Sequence, residues 1–529
     1  MTGTAAHTTS DSSASRSADS AVGGANGKDA GEQAEHRFDV RWAIFAAFVL
    51  VVGVTMWRHE MWRDELQAWM IARASHSLPD LFNNIRYEGH PALWYLLLWP
   101  LAKINTAPWM MQLAQLTIAA LALALVLWRA PFTNLQKALF AGGYFVVFEY
   151  GTLSRSYSLG FLFVAATCAV ASTRHRWPWC GVTLALLALT SAFDALLAVA
   201  LLVGLLVDAE VRRRQGVDVT PFRRIALGFA LAVGGLTVAY AQASPPGDAG
   251  VYRSWNTSFN SALARTSLAA ISRAVVPIPK FRREWWNTSI FDGATTAAAV
   301  LGVLIVLGIA WLLRRRPGAC ATWVAGVALV VGFLYSKIQY ASASRYNGHI
   351  FLALVAALWL VPSMATIGRS DDRRSVSLRT RLWTAILVLQ LIGGMFVVLV
   401  DWKYPFSNGR DVADLINARH LQHAIIIGQP DVSASTVAAY LNHDVYYPAG
   451  ERFGRYILWD QNRKDRTAPL REIIRRVEHR TTEAVLLVIN HPVDVRVFTE
   501  FRLEPLAAFD NGIVPDEHFW VYRVIGLTP

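Results

Sequence analysis

The feature that most constrains this chain is a recurrence of apolar stretches, each close to bilayer length, with arginine-rich segments between many of them. A helix rises about 1.5 Å per residue, so about 20 mostly apolar residues cross the hydrocarbon. About eleven stretches meet or approach that length: 42–57, 109–128, 138–153, 157–173, 178–191, 192–207, 224–242, 291–313, 319–336, 346–366 and 383–401. Lipid offers backbone polar groups no partners, so such stretches fold as helices. The expected fold class is therefore an α-helical polytopic membrane protein with about 11 transmembrane helices. Only 17% of the residues are charged, against about 25% in soluble domains.

The net charge of +12 raises the question of nucleic acid. The arginines are not gathered in one patch, however. Arg212–Arg214, Arg223-Arg224 and Arg314–Arg316 sit between apolar stretches, as cytoplasmic loops do under the positive-inside rule. No nucleic-acid partner is expected. Placing the N-terminus inside puts 129–137, 174–177, 208–223, 314–318 and 367–382 inside, with Arg129, Lys137, Arg174, Arg176, Arg369, Arg373, Arg374, Arg379 and Arg381. The outward parts are then 58–108, 154–156, 191–194, 243–290, 337–345 and everything after about 402. This assignment requires 91–104, punctuated by Pro91, Pro100 and Pro108, to lie along the outer surface rather than cross. Pro91 would be its first helical position.

Residues 1–38, rich in Ser, Ala, Gly and Asp, read as a disordered cytoplasmic tail without the pattern of a cleavable signal. Residues 39–401 form the transmembrane domain, with the large outer loop 58–108. Beyond 402 the character changes. Strand-like His423–Gly428 and Glu483–Asn490 alternate with helix-like Ser433–Leu441 and Pro469–Arg480, which predicts a small extracytoplasmic α/β domain over 402–529. It has no Gly-rich phosphate loop, and the chain shows no transporter-type repeat. Cys168, Cys180 and Cys320 lie far apart, match no metal spacing and read as packing residues.

Several outward residues can carry chemistry. Asp64 and Glu65 follow the first span among Trp57, Trp62 and Trp69. They form either an ordinary solvated loop or a desolvated carboxylate of raised basicity, suited to act as a general base on a hydroxyl. Glu88 and His90 precede Pro91, where His90 is a cap or packing residue, or a catalytic one. Arg155 and Arg345 stand at outer turns, with Lys337 nearby; each either snorkels to headgroups or holds a phosphate. The loop 243–290 carries Arg253, Arg265, Arg273, Lys280, Arg282 and Arg283 with Trp255, Trp285 and Trp286, a pattern common at membrane surfaces.

These landmarks occur in a telling order. An Asp-Glu pair follows the first span and His90-Pro91 opens a surface helix. An Arg-x-Tyr-x-Leu (Arg155, Tyr157, Leu159) sits at an outer turn, Arg345-Tyr346 opens a late span, and a soluble domain ends the chain. Over roughly residues 40–400 this resembles the GT-C superfamily of membrane glycosyltransferases. The closest branch is the protein O-mannosyltransferase and aminoarabinose-transferase group, with the lipopolysaccharide-core galacturonosyltransferases. The resemblance implies a multi-pass enzyme of the inner (plasma) membrane. It would move a sugar from a polyprenyl-phosphate donor to a hydroxyl of an envelope lipid, glycan or protein, with inversion. Asp64 would be the base or acceptor-orienting carboxylate, supported by Glu65. Glu88 and His90 would shape the acceptor or donor pocket. Arg155 and Arg345 would hold the leaving phosphate, with Lys337 assisting, and Tyr157 and Tyr346 would join the substrate-binding residues. There are departures. No Asp-x-Asp appears in the first loop, so no divalent metal and no cofactor is expected. Ser191–Asp194 stands where related proteins carry a His-Tyr type sequence.

Two other classes compete with this reading. A lipid or polysaccharide transporter usually shows related halves or polar groups at the bilayer midplane, whereas the interesting charges here lie at one face. A noncatalytic envelope scaffold would tolerate loss of the loop carboxylates.

Overall fold

A computed structural model of the chain describes residues 39–173, 176–217, 220–250, 255–338, 343–368, 372–464, 467–478, 483–498 and 500–526. The segment 1–38, expected to be disordered, and Arg174, Arg253 and Arg369 lie outside those residues. Val40–Pro529 forms one compact unit.

The chain opens with α1 (Val40–Arg58) and then leaves the bundle for α2 (Arg63–Ala74), α3 (Leu78–Ile85) and α4 (Leu93–Ile104). It returns as α5 (Trp109–Arg129) and α6 (Asn134–Ala141), followed by a π-helical segment Phe145–Thr152. Then come α7 (Tyr157–Ala171), α8 (Arg176–Ala188), α9 (Ala192–Gln215), α10 (Phe222–Ala243) and α11 (Ser261–Val275). The last helices of the bundle are α12 (Thr295–Leu313), α13 (Pro317–Phe333, extended by a π turn to Ile338), α14 (Ser344–Leu360) and α15 (Arg373–Lys403).

Among the described residues, eight helices are long and apolar enough to cross a membrane: α1, α5, α9, α10, α12, α13 with its π extension, α14 and α15. The remaining expected spans form shorter segments: α6 with the π segment, α7 and α8. The helix expected over 91–104 begins at Leu93 rather than Pro91, so His90 and Pro91 form the loop that leads into it. Without a hydrophobic force between helices in lipid, close packing depends on small residues. A methyl group placed on Gly204 of α9 would collide with Thr322 Oγ1 of α13, so that contact requires glycine.

After α15 come α16 (Gly409–Ala418), β1 (Ile425–Gln429), α17 (Asp431–Leu441), β2 (Val445–Tyr447) and β3 (Arg452–Gly454). They are followed by α18 (Leu470–Glu478), β4 (Val485–Ile489), β5 (Phe501–Phe509) and β6 (Phe519–Gly526). The sheet runs β3-β2-β1-β4-β6-β5, with β1 parallel to both β2 and β4. Alternation sends Ile426, Leu486 and Val488 to the face covered by α16 and α17, and Ile427, Leu487 and Ile489 to the face covered by α18. Both expected strands and both expected helices are present. The β5–β6 pair was not anticipated; Pro505 interrupts β5, and the register shifts between Pro505 and Ala507.

The sheet region sits on the first loop. Tyr440 donates to the Met61 carbonyl at 3.3 Å, Arg73 to the Ala439 carbonyl at 3.2 Å, and Gln67 to the Ile457 carbonyl at 2.7 Å. The arginine clusters lie at the opposite ends of the helices, where Asp208 holds Arg176 at 3.0 Å and Arg212 at 2.9 Å.

Candidate functional site

The site is assembled by a buried charge cluster that the sequence reading did not find. Glu65, in the first turn of α2, reaches back to accept the Trp62 backbone N–H at 3.2 Å. The same carboxylate takes His59 Nε2 at 3.0 Å and the Ser154 N–H at 2.7 Å. On its other nitrogen His59 meets Asp401, near the end of α15, at 3.1 Å. All three side chains are fully buried. Burial opposes charge on His59, but Asp401 and Glu65 on either side outweigh it and push the imidazole up to about 10. This cluster ties together the ends of α1 and α15, the start of α2 and the turn before α7.

The consequence is a meeting of neighbours. Asp64 follows from Glu65 and Arg155 from Ser154, and Arg155 Nη1 donates to Asp64 Oδ2 at 2.6 Å. Arg345, in the first turn of α14, approaches the same oxygen at 3.4 Å. Burial alone would raise the Asp64 carboxyl. The guanidiniums of Arg155, Arg345 and Arg63 more than offset it and hold Asp64 well below the usual carboxylate range.

These residues wall a cavity of about 340 Å3 between the bundle and the sheet region. Arg63, Asp64, Gln67, Glu88, His90, Trp94, Tyr95, Arg155, Thr190, Arg345, Tyr346, Ser435 and Trp459 are among the residues that line it. Glu88 accepts from Gln67 Nε2 at 2.9 Å and faces the Tyr95 hydroxyl at 3.5 Å. Burial pushes its carboxyl up to about 7; the Gln67 hydrogen bond works against this and the Asp64 charge adds to it. Gly89, at φ 66°, takes a left-handed turn that a side chain would strain, and so sets Glu88 and His90 on the same wall. His90 Nδ1 lies 3.1 Å from the Gly89 carbonyl, which can only accept. The ring therefore donates from Nδ1 and keeps a lone pair on Nε2. Burial, with the Arg155 charge, lowers His90 to about 4, so it is neutral at physiological pH.

Asp64, Glu88, His90, Arg155, Arg345 and Tyr346 thus share one cavity. Glu65 and Tyr157 stand behind it rather than in it. Glu65 spends its oxygens on the buried cluster, and the Tyr157 ring lies 5.1 Å from the Arg155 guanidinium carbon. Arg345 is held between the Trp62 ring at 5.6 Å and the Tyr346 ring at 4.9 Å. Lys337 does not line the cavity; its ammonium sits 5.4 Å from the Trp255 ring. Asp194, on which no role was placed, is fully buried, accepts from Thr190 at 2.8 Å and Ser191 at 2.6 Å, and lies 3.5 Å from His349. Sequence reasoning missed Gln67, Trp94, Tyr95 and Trp459. The first three share the periodicity of α2 and α4 with ordinary core residues, and Trp459 arrives from the sheet region. Among the described residues, no three His, Cys, Asp or Glu side chains gather closely enough to hold a metal ion.

The fold and site define a membrane-embedded helical protein with a charged, aromatic-lined cavity at one end of its bundle. Set against models of known protein families and against curated proteins, the chain matches none.

Proposed function

We propose that this chain is a GT-C-type glycosyltransferase. It moves a sugar from a polyprenyl-phosphate donor to a hydroxyl of an envelope lipid, glycan or protein. The observation that carries this reading is the convergence of Arg155 and Arg345 on Asp64 at the cavity wall. Arg63 is engaged by Asp516 at 2.5 Å, which leaves Arg155 and Arg345 as the two guanidiniums that face Asp64 at the wall. Planar guanidiniums suit phosphate oxygens. A sugar phosphodiester carries one negative charge, and its phosphate gains a second as the bond to C1 breaks. Cations placed there act most strongly on the transition state.

Two carboxylates in contrasting surroundings divide the remaining work. Asp64 stays ionised and stabilises the positive charge that develops at C1, in place of the base or acceptor-orienting role that the resemblance implied. Glu88, raised into the physiological range, takes the acceptor proton. The acceptor oxygen bonds to C1, the C1–O bond to phosphate breaks with its electron pair leaving on phosphate, and the proton passes to Glu88. Attack opposite the phosphate inverts C1.

The basic clusters at the far helix ends support an orientation with the cavity on the outer face of the inner (plasma) membrane. In this topology α6 with its π segment, α7 and α8 complete about eleven passes.

The test is transfer of radiolabelled sugar from a panel of polyprenyl-phosphate donors to envelope extract, with wild type and Glu88→Gln side by side. Label moved by the wild type and lost in the variant supports the reading. No label moved from any donor overturns it.

A further inference from the structure

The sheet region carries a second cavity that the transfer reaction above does not use, and its position follows from chain topology. From β1 the chain passes through α17 to β2, on one side of β1. From β3 it returns through α18 to β4, on the other side of β1. The two crossover helices cover opposite faces of the sheet. The chain leaving β1 passes to α17 on one face, while the chain leaving β4 packs Val493 and Phe498 on the other face, and in open α/β sheets ligands bind in the crevice such a divergence opens. A cavity of about 370 Å3 lies at that point, walled by Gln429 and Asp431 after β1 and by His491 after β4. Trp459, Arg463 and Thr467 close its other side.

The chemistry of the walls narrows the ligand. The positive charges are already spent: Arg463 donates to buried Asp431 at 2.9 Å, and Lys464 to Glu451 at 2.7 Å. Among the described lining residues, no surplus charge is left for an anion. What remains is an indole surface and uncharged hydrogen-bonding groups. The Gln429 amide nitrogen donates to Thr467 Oγ1 at 3.2 Å, while its carbonyl oxygen is buried and has no partner among the described residues. A buried acceptor without a donor is costly, and a ligand hydroxyl would satisfy it. The Asp431–Arg463 pair, with the guanidinium 4.8 Å from the Trp459 ring centre, fixes the indole in place. An aromatic surface beside preset amide, hydroxyl and imidazole groups matches a sugar, whose ring presents C–H groups on its face and hydroxyls at its rim.

We infer that the crevice at the carboxyl ends of β1 and β4 is a second binding site, for a neutral saccharide. Trp459 lines this crevice and the cavity that holds Asp64 and Arg155. A glycan seated in the crevice thus lies one side chain away from the charged cavity. The inference stands whether or not that cavity transfers sugar.

The experiment is saturation-transfer NMR on the full chain, in a detergent with no sugar headgroup. The probes are neutral glucan, mannan, galactan and N-acetylglucosamine tetrasaccharides, with inorganic phosphate as competitor. The expected result is transfer to the ring C–H protons of at least one tetrasaccharide, undisturbed by phosphate. Binding should be weakened at least fivefold in Gln429→Leu and again in Thr467→Val, since the hydroxyl and the amide act together. The exposed His491→Ala, which leaves the core intact, should weaken it as well. Silence from all four tetrasaccharides overturns the proposal. So does binding unchanged in every one of these variants, or binding abolished by phosphate.

Discussion

The Glu65 carboxylate accepts the backbone N–H of Ser154 at 2.7 Å, and the residues beside them in sequence, Asp64 and Arg155, meet at 2.6 Å. One buried hydrogen bond between two chain segments thereby sets the spacing of the charged pair at the cavity wall. Glu65 is a positioning residue: it touches the frame, not the cavity. Glu65→Gln leaves His59 and Asp401 without their third member, and a broken buried ion pair costs about 3–5 kcal/mol. The expected result is a lower thermal midpoint in detergent and a donor KM raised about tenfold as the Arg155 turn shifts, with kcat changed much less. A kcat collapse at unchanged KM would contradict this role.

The same cluster gives a stability signature. His59 is raised from 6.5 to about 10 in the folded protein. A raised folded value means that the charged form favours folding. Its contribution is complete below about 6.5, fades as pH rises, and is gone above about 10. Thermal midpoints measured between pH 6 and 10 should therefore fall for the wild type. His59→Gln should start lower and show a shallower decline. Parallel curves would mean that His59 is not the charge that Asp401 and Glu65 hold.

Glu88 provides the corresponding signature in rate. A base with its carboxyl near 7 works only when ionised, so transfer should rise as pH passes through about 7. Glu88→Gln should remove that limb and lower kcat by about 10²–10⁴-fold, the usual worth of a positioned base. Asp64 adds to the upward push on Glu88. Asp64→Asn should therefore move the limb to lower pH as well as slow the reaction. A limb that survives in Glu88→Gln would assign the proton to another group.

Arg345 tests the shape of the phosphate site rather than its charge. Its guanidinium carbon lies 5.6 Å from the Trp62 ring centre and 4.9 Å from that of Tyr346, where a planar guanidinium can lie flat on a ring and still present a fork of donors, as an ammonium cannot. Arg345→Lys keeps the charge, yet donor KM should rise about tenfold, the equivalent of about 1.4 kcal/mol. Steady-state kinetics with varied donor would read the change.

Much of this was legible in the sequence, for identifiable reasons. Apolar length marked α1, α5, α9, α10, α12, α13, α14 and α15, because a bilayer imposes one length on every crossing. Asp64, Arg155 and Arg345 stood out because charges at helix ends beside apolar runs are conspicuous. The partner of each charge was not legible. His59, Glu65 and Asp401 come together from α1, α2 and α15, and no local spacing encodes that meeting. The helix α11 escaped notice because Arg265 and Arg273 interrupt its apolar pattern. Lys337 was grouped with the arginines expected to hold a phosphate by its outer-turn position, yet the fold sets it against Trp255.

The measurement that bears most directly on the central claim needs neither acceptor nor sugar. It is equilibrium binding of a polyprenyl monophosphate, and of the matching unphosphorylated polyprenol, to purified wild type and to the Arg155→Ala/Arg345→Ala double variant. The account predicts that wild type binds the phosphate at least tenfold more tightly than the alcohol and that the double variant binds the two alike. Equal affinity of the wild type for both lipids, or a phosphate preference that survives in the double variant, would contradict it.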